Sequence, residues 1–149
     1  MVFFDTNVLI YSAVAHVPQH TAAVRALQAF LGRPRWISRQ VLREYLATLS
    51  RPQGFGAPAP MAVLTQQVEQ FEQVFLVADE TAQVGAELRR LALLVPMGGK
   101  QIHDANLVAT MLVNGVTRLV THNVADFQRF EPLIEVLPLS QWADPEPAS

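Results

Sequence analysis

The sequence predicts an α/β fold in one domain, and three observations carry that prediction. Short apolar runs of β-forming residues alternate along the chain with longer stretches whose apolar positions recur at helical spacing, the pattern of strands joined by helices. The length, 149 residues, fits a single domain. Half of the residues are apolar and 16% are charged, a composition able to bury a sizeable core. One domain is expected over residues 1–143, with residues 144–149 as a disordered tail.

The first element is Val2-Phe3-Phe4, followed at once by Asp5 and by Thr6-Asn7, which can cap a helix. Asp5 therefore stands where a buried strand ends and a helix begins. In an open α/β sheet, the crevice beyond the carboxyl ends of the strands is where ligands bind. Residues 21–31 form a second helix, with Ala22, Val24, Leu27, Phe30 and Leu31 near helical spacing. His16 and His20 stand four apart, as helical metal ligands do, but Pro18 between them breaks that helix and argues against zinc. Arg35-Trp36-Ile37 is a second strand, and Ser38 is the N-cap of a helix that continues to Leu49.

Residues 51–60 hold three prolines and two glycines and form a loop. A helix follows over 61–74, where Met61, Leu64, Val68 and Phe71, continued by Phe75, make an apolar stripe that faces the core or a partner. Residues 75–78 read as a buried strand, and 80–94 as an amphipathic helix capped by Asp79 or Thr81. Residues 96–100 are a loop without the spacing of a phosphate-binding P-loop, and 101–112 are a helix. Residues 118–121 form a strand whose carboxyl end leads to Asn123 and Asp126. Residues 134–139, with Pro138, are a last strand at a sheet edge.

The chain has no cysteine, which excludes a disulfide framework and a thiolate metal site and fits a reducing compartment. Asp5 follows Met1 too closely for a signal peptide, and no apolar run approaches the roughly 18 residues of a membrane span. A cytoplasmic protein with no membrane partner is expected. The net charge of −2 argues against bulk attraction to nucleic acid. The basic residues are nevertheless clustered: Arg33, Arg35, Arg39, Arg43 and Arg51 surround a single acid, Glu44, and such a rim can hold phosphates.

Further polar residues join Asp5 as site candidates. On a 3.6-residue wheel Val41, Leu42, Tyr45, Leu46 and Leu49 form one apolar arc, with Glu44 half-buried at its edge, roughly 60° from Val41. Asp104 is flanked by Leu107, Val108, Met111 and Leu112, so it lies inside an apolar stripe where an uncompensated charge is costly. Either backbone N–H groups near the helix start satisfy it, or a cation does. His103 projects about 100° away from it and is helix-terminal rather than a ligand. Asn123 and Asp126 can join the same crevice or make ordinary turn bonds. Such oxygen ligands suit Mg²⁺ or Mn²⁺, which keep several waters and engage phosphate oxygens. Two such ions about 3.5 to 4 Å apart would support phosphodiester hydrolysis.

With these residues the chain resembles the PIN-domain ribonucleases, and among them the VapC-type toxins of prokaryotic toxin–antitoxin pairs. The resemblance rests on Phe4-Asp5-Thr6-Asn7 with Leu9-Ile10, on Val41-Leu42-Arg43-Glu44-Tyr45, on Ile102-His103-Asp104-Ala105, and on Thr121-His122-Asn123 followed by Asp126-Phe127. These motifs stand in order over nearly the whole chain. The resemblance implies a three-layer α/β/α sandwich around a central parallel sheet of about five strands. It also implies a metal-dependent endoribonuclease, acting on RNA as a homodimer held by a cognate antitoxin. Asp5 and Asp104 would bind Mg²⁺ or Mn²⁺ directly, Glu44 the metal or the attacking water, and Thr6, Asn7 and Thr121 would support them. Where many relatives carry an acid directly after the last catalytic strand, this chain has the amide Asn123, with Asp126 three residues on. The fourth position is open between them. Arg39, Arg43 and Lys100 are the candidates for contacts with RNA phosphates.

Two other classes remain open on sequence alone. A metal-dependent phosphatase of the haloacid dehalogenase type also begins with an Asp after a strand, but its second acid, two residues on, is here Asn7. A PIN-like module that only binds RNA or protein would keep the fold and lose the carboxylates, whereas Asp5, Glu44 and Asp104 are all present.

Overall fold

Five parallel strands form one sheet in the order β3-β2-β1-β4-β5, in a computed structural model that describes residues 1–147. The strands are β1 (Val2–Phe4), β2 (Arg35–Ser38), β3 (Leu76–Ala78), β4 (Arg118–Thr121) and β5 (Glu135–Pro138). Between them run α1 (Thr6–Ala13), α2 (His20–Ala29), α3 (Arg39–Leu49), α4 (Met61–Val74), α5 (Ala82–Leu94), α6 (Gln101–Val113) and the single turn α7 (Val124–Phe127). Ala148 and Ser149, the end of the expected disordered tail, lie outside the described residues; Asp144, at its start, pairs with Arg25 at 2.7 Å.

Connections between parallel strands are right-handed. That handedness puts α1 to α4, which lead outward from β1 to β3, on one face, and α5 and α6, which return to β4, on the other. The packing of the helices follows this division: α1 lies against α2 and α3, α3 against α4, and α5 against α6. The expected sandwich of three layers is the result. Because the chain leaves β1 on one side and later resumes at β4 on the other, the boundary between these two strands is the topological switch point of the sheet.

Both faces of β1 are covered, so Val2, Phe3 and Phe4 are fully buried, as a central parallel strand requires. Phe3 pairs with Leu119 and Phe4 with Val120, and the Asp5 N–H donates to the Val120 carbonyl at 3.0 Å, continuing the ladder to the first residue beyond the strand. The Phe4 ring meets Phe30 and Phe75 edge-on, each at 5.9 Å between centroids. Truncating it to alanine would cost about 3–5 kcal/mol.

One expectation changes. The run over 75–78 is not a buried strand: Phe75 caps α4, and β3 lies at the sheet edge with Leu76 47% exposed. Strand order, set by where the crossovers land, decides this, and local apolarity does not encode it. The apolar stripe of α4 serves the chain's own core, with Leu64 buried and Phe71 edge-on to Tyr45 at 5.1 Å; Met61 alone of the stripe is exposed. Other details hold. Pro138 lies on the other edge strand, Thr81 is the cap of α5, and His16 and His20 are held apart on the carbonyls of Phe55 and Tyr11. Among the described residues no helix is long and apolar enough to cross a membrane.

Candidate active site

Asp5 sits at the switch point because the strand–helix transition is written into residues 2–7. It is the N-cap of α1, with Oδ1 accepting the Thr6 N–H at 2.8 Å. Its Oδ2 accepts the Thr121 hydroxyl at 2.7 Å and the Asn7 amide at 3.2 Å. The Thr121 hydroxyl in turn accepts the Asn123 N–H at 3.0 Å, and Asn7 Oδ1 accepts the His122 N–H at 3.1 Å. The turns that leave β1 and β4 are thereby tied together around one carboxylate. Burial pushes the Asp5 carboxyl up to about 6, and the Glu44 charge adds to this, while the hydrogen bonds from Thr121, Thr6 and Asn7 oppose it.

Glu44 reaches the same point from α3. The Ser38 hydroxyl starts that helix by accepting the Val41 N–H, and Glu44 then faces α1 at the half-buried border of its apolar arc. Its Oε2 accepts the Thr6 hydroxyl at 2.7 Å and its Oε1 the Gln40 amide at 2.9 Å. The side chain of Thr6 thus supports Glu44, and only its backbone supports Asp5.

Asp104 is half-buried in the first turn of α6. No hydrogen bond from the described residues reaches its carboxylate, so the backbone satisfaction that would make it a purely structural acid is missing. Its carboxyl is pushed up to about 6, first by burial and then by the charges of Asp126, Asp5 and Glu44, against the opposing pull of Arg129. Asp126 comes first among those charges and lines the same crevice. Asn123 lines the crevice beside it, and its side chain makes no cap hydrogen bond.

The crevice has a volume of about 660 Å³. It brings together Asp5, Thr6, Asn7, Glu44, Asp104, Asn123, Asp126 and Lys100, with Thr121 bonded to Asp5 behind them. It does not include Arg39 and Arg43. Arg39 is held by Asp79 at 2.9 Å and Glu72 at 3.3 Å, and Arg43 by Glu80 at 2.9 Å. Two of the five arginines of the basic rim are thus paired with acids, Glu72 on α4 and Asp79 and Glu80 in the β3–α5 connection. One member of the basic rim does line the crevice, and one residue goes beyond the expected site. Arg51 lines the crevice with Lys100, and neither forms an ion pair among the described residues. Gln40 holds Glu44; its signal was the spacing of four along one helix face.

The carboxylates and amides on offer are hard oxygens, which fits Mg²⁺ or Mn²⁺, and His103, although it also lines the crevice, is exposed and stands apart from the carboxylate cluster of Asp5, Glu44, Asp104 and Asp126. Among the described residues no three acidic or histidine side chains close tightly enough to cage an ion alone. Mg²⁺ does not need such a cage: it is held by one or two carboxylates and completes its shell with waters and substrate phosphates.

The PIN domain family model matches residues 2–131. Ribonuclease VapC48 of Mycobacterium tuberculosis strain H37Rv is 30% identical over 136 residues, covering 86% of this chain and 90% of that protein. Among solved structures, VapBC-1 from nontypeable Haemophilus influenzae aligns with a TM-score of 0.65 at 19% identity, over 94% of this chain and 99% of its own. Mycobacterium tuberculosis VapC20, described as a sarcin–ricin loop cleaving toxin, aligns with a TM-score of 0.63 at 22% identity, over 80% and 87%. At these identities the solved structures establish the likeness of fold.

Proposed function

The chain belongs to the PIN domain family, and from that premise we propose that it is a divalent-metal-dependent endoribonuclease, the toxin of a toxin–antitoxin pair. The observation that carries this reading is Asp104, a half-buried carboxylate without a protein donor, surrounded by the charges of three other acids at the switch point of the sheet. A cation resolves that arrangement electrostatically.

Asp5 and Asp104 would hold the ion, with Glu44 beside it. When bound, Mg²⁺ or Mn²⁺ supplies Lewis-acid stabilisation of phosphate oxygens and lowers the pKa of a coordinated water. The protein's own residues supply orientation. Thr121, Asn7 and the Thr6 N–H fix both oxygens of Asp5, and the Thr6 hydroxyl and Gln40 fix those of Glu44. Glu44 can then take a proton from a water that attacks the phosphodiester. Lys100 and Arg51 offer cations to the flanking phosphates.

The solved relatives include toxin–antitoxin complexes, which supports a cognate antitoxin and a second copy of this chain as partners, with RNA as substrate in the cytoplasm. Incubating labelled single-stranded RNA with the protein in Mg²⁺, in Mn²⁺ or in chelator tests the activity; cleavage with metal and none in chelator is expected.

A further inference from the structure

Gln40 is a polar side chain buried to 5% exposure between two helices that each carry an acid of the crevice. Its Nε2 donates to Glu44 Oε1 at 2.9 Å and to the His103 carbonyl at 2.9 Å, and its Oε1 accepts the Asn106 amide at 2.8 Å. Both amide hydrogens and the carbonyl oxygen are therefore engaged. His103 and Asn106 stand on either side of Asp104 in α6, so a single amide spans from Glu44 to the backbone and side chain that flank Asp104. Asn106 extends the chain of bonds to Glu80 at 3.4 Å, and Glu80 holds Arg43.

We propose that Gln40 is the positioning residue that sets Glu44 against Asp104, and so fixes the geometry in which a divalent cation is bound. The inference rests on the metal reading of the crevice given above. A residue that only joined α3 to α6 would need no more than its bonds to His103 and Asn106. The remaining N–H goes to Glu44, which is four residues along the same helix face. Without it, Glu44 Oε1 has no protein donor, and the Thr6 hydroxyl alone holds a side chain with three rotatable bonds. Partners that orient a metal-binding carboxylate typically account for 10–100-fold in metal affinity.

Mn²⁺ binding measured by calorimetry without RNA, on wild type, Gln40→Met, Glu44→Gln and the double variant, tests this. Gln40→Met should weaken Mn²⁺ binding by about 10–100-fold, and should add less than about twofold to Glu44→Gln, since its effect runs through Glu44. Unchanged affinity in Gln40→Met, or an equal loss in both backgrounds, overturns the proposal, the latter by showing a general structural role. If Gln40→Met does not fold, Asn106→Ala removes the donor to Gln40 Oε1, along with the longer contact to Glu80, and leaves the bond from Gln40 to Glu44 in place. It should weaken binding less and be equally silent on Glu44→Gln; wild-type affinity there also overturns the proposal. A wild type that binds no Mn²⁺ overturns the metal reading and this inference together, whereas a binding wild type with an unaffected Gln40→Met overturns this inference alone.

Discussion

The Thr6 hydroxyl donates to Glu44 Oε2 at 2.7 Å, so the residue directly after the first acid of the site holds the second, which lies on another helix. Thr6→Val keeps the shape and removes that donor. RNA cleavage should fall by about 10–100-fold, as for other residues that orient metal-binding carboxylates. Stability should fall by about 1.5–3 kcal/mol, because the hydrogen bond removed goes to a charged carboxylate. Rate constants at saturating Mg²⁺ beside melting curves measure both; a variant that cleaves like wild type would show the hydrogen bond to be structural.

Without metal, the protein should be more stable at pH 5 than at pH 7.5. Asp5 and Asp104 have carboxyls held up to about 6 in the folded state, whereas unfolded Asp titrates near 3.9. The folded state therefore binds more protons than the unfolded one between these values. The resulting stability is fully present below about 4 and is lost as pH rises through about 6. Asp5 alone should contribute on the order of 1 kcal/mol between the two pH values, which is roughly 2 to 4 °C in melting temperature at this size. Added Mg²⁺ should shrink the difference, because it binds the charged forms. A melting temperature in chelator that rises from pH 5 to 7.5 would contradict this.

Asp104→Asn should melt higher than wild type in chelator at pH 7.5 and lower in Mg²⁺. The amide removes one charge from a group of four acids and leaves no donor unpaired, since none of the described residues donates to Asp104. With metal the order reverses: a ligand in hundredfold excess over its Kd stabilises by about 2.7 kcal/mol, and the variant has lost a binding group. Melting well below wild type in chelator would make Asp104 a structural group.

Much of this site could be read from the chain because the relevant signals are local. Asp5 stands out where a β-forming run gives way to a helix cap, and the apolar arcs around Glu44 and Asp104 show each acid on a helix border or core face. What could not be read depends on residues distant in sequence. Arg39 and Arg43 look like a phosphate rim until Asp79, Glu72 and Glu80 are folded against them. Gln40 looks like an ordinary polar residue until α6 brings His103 and Asn106 to it. The edge position of β3 follows from strand order, which no window of a few residues contains.

Arg51 and Lys100 line the crevice without ion pairs among the described residues, so they should carry the electrostatic part of RNA binding. Replacing both by Ala should raise KM for single-stranded RNA and leave kcat nearly unchanged. The slope of log KM against log salt should fall by roughly 0.7 for each RNA phosphate that is no longer neutralised. Arg90→Ala, which removes a cation already paired with Glu87 at the surface, should change neither quantity. Equal effects from Arg90 would indicate a general charge effect.

The most direct measurement of the central claim is cleavage of labelled single-stranded RNA by wild type, Asp5→Asn and Asp104→Asn, each in Mg²⁺ and in chelator. Wild type should cut only with Mg²⁺, and both variants should lose more than about 100-fold of the rate, since each lacks a direct ligand where an orienting group alone is worth 10–100-fold. Equal cleavage by all three proteins, or cleavage by wild type that survives chelation, would contradict it.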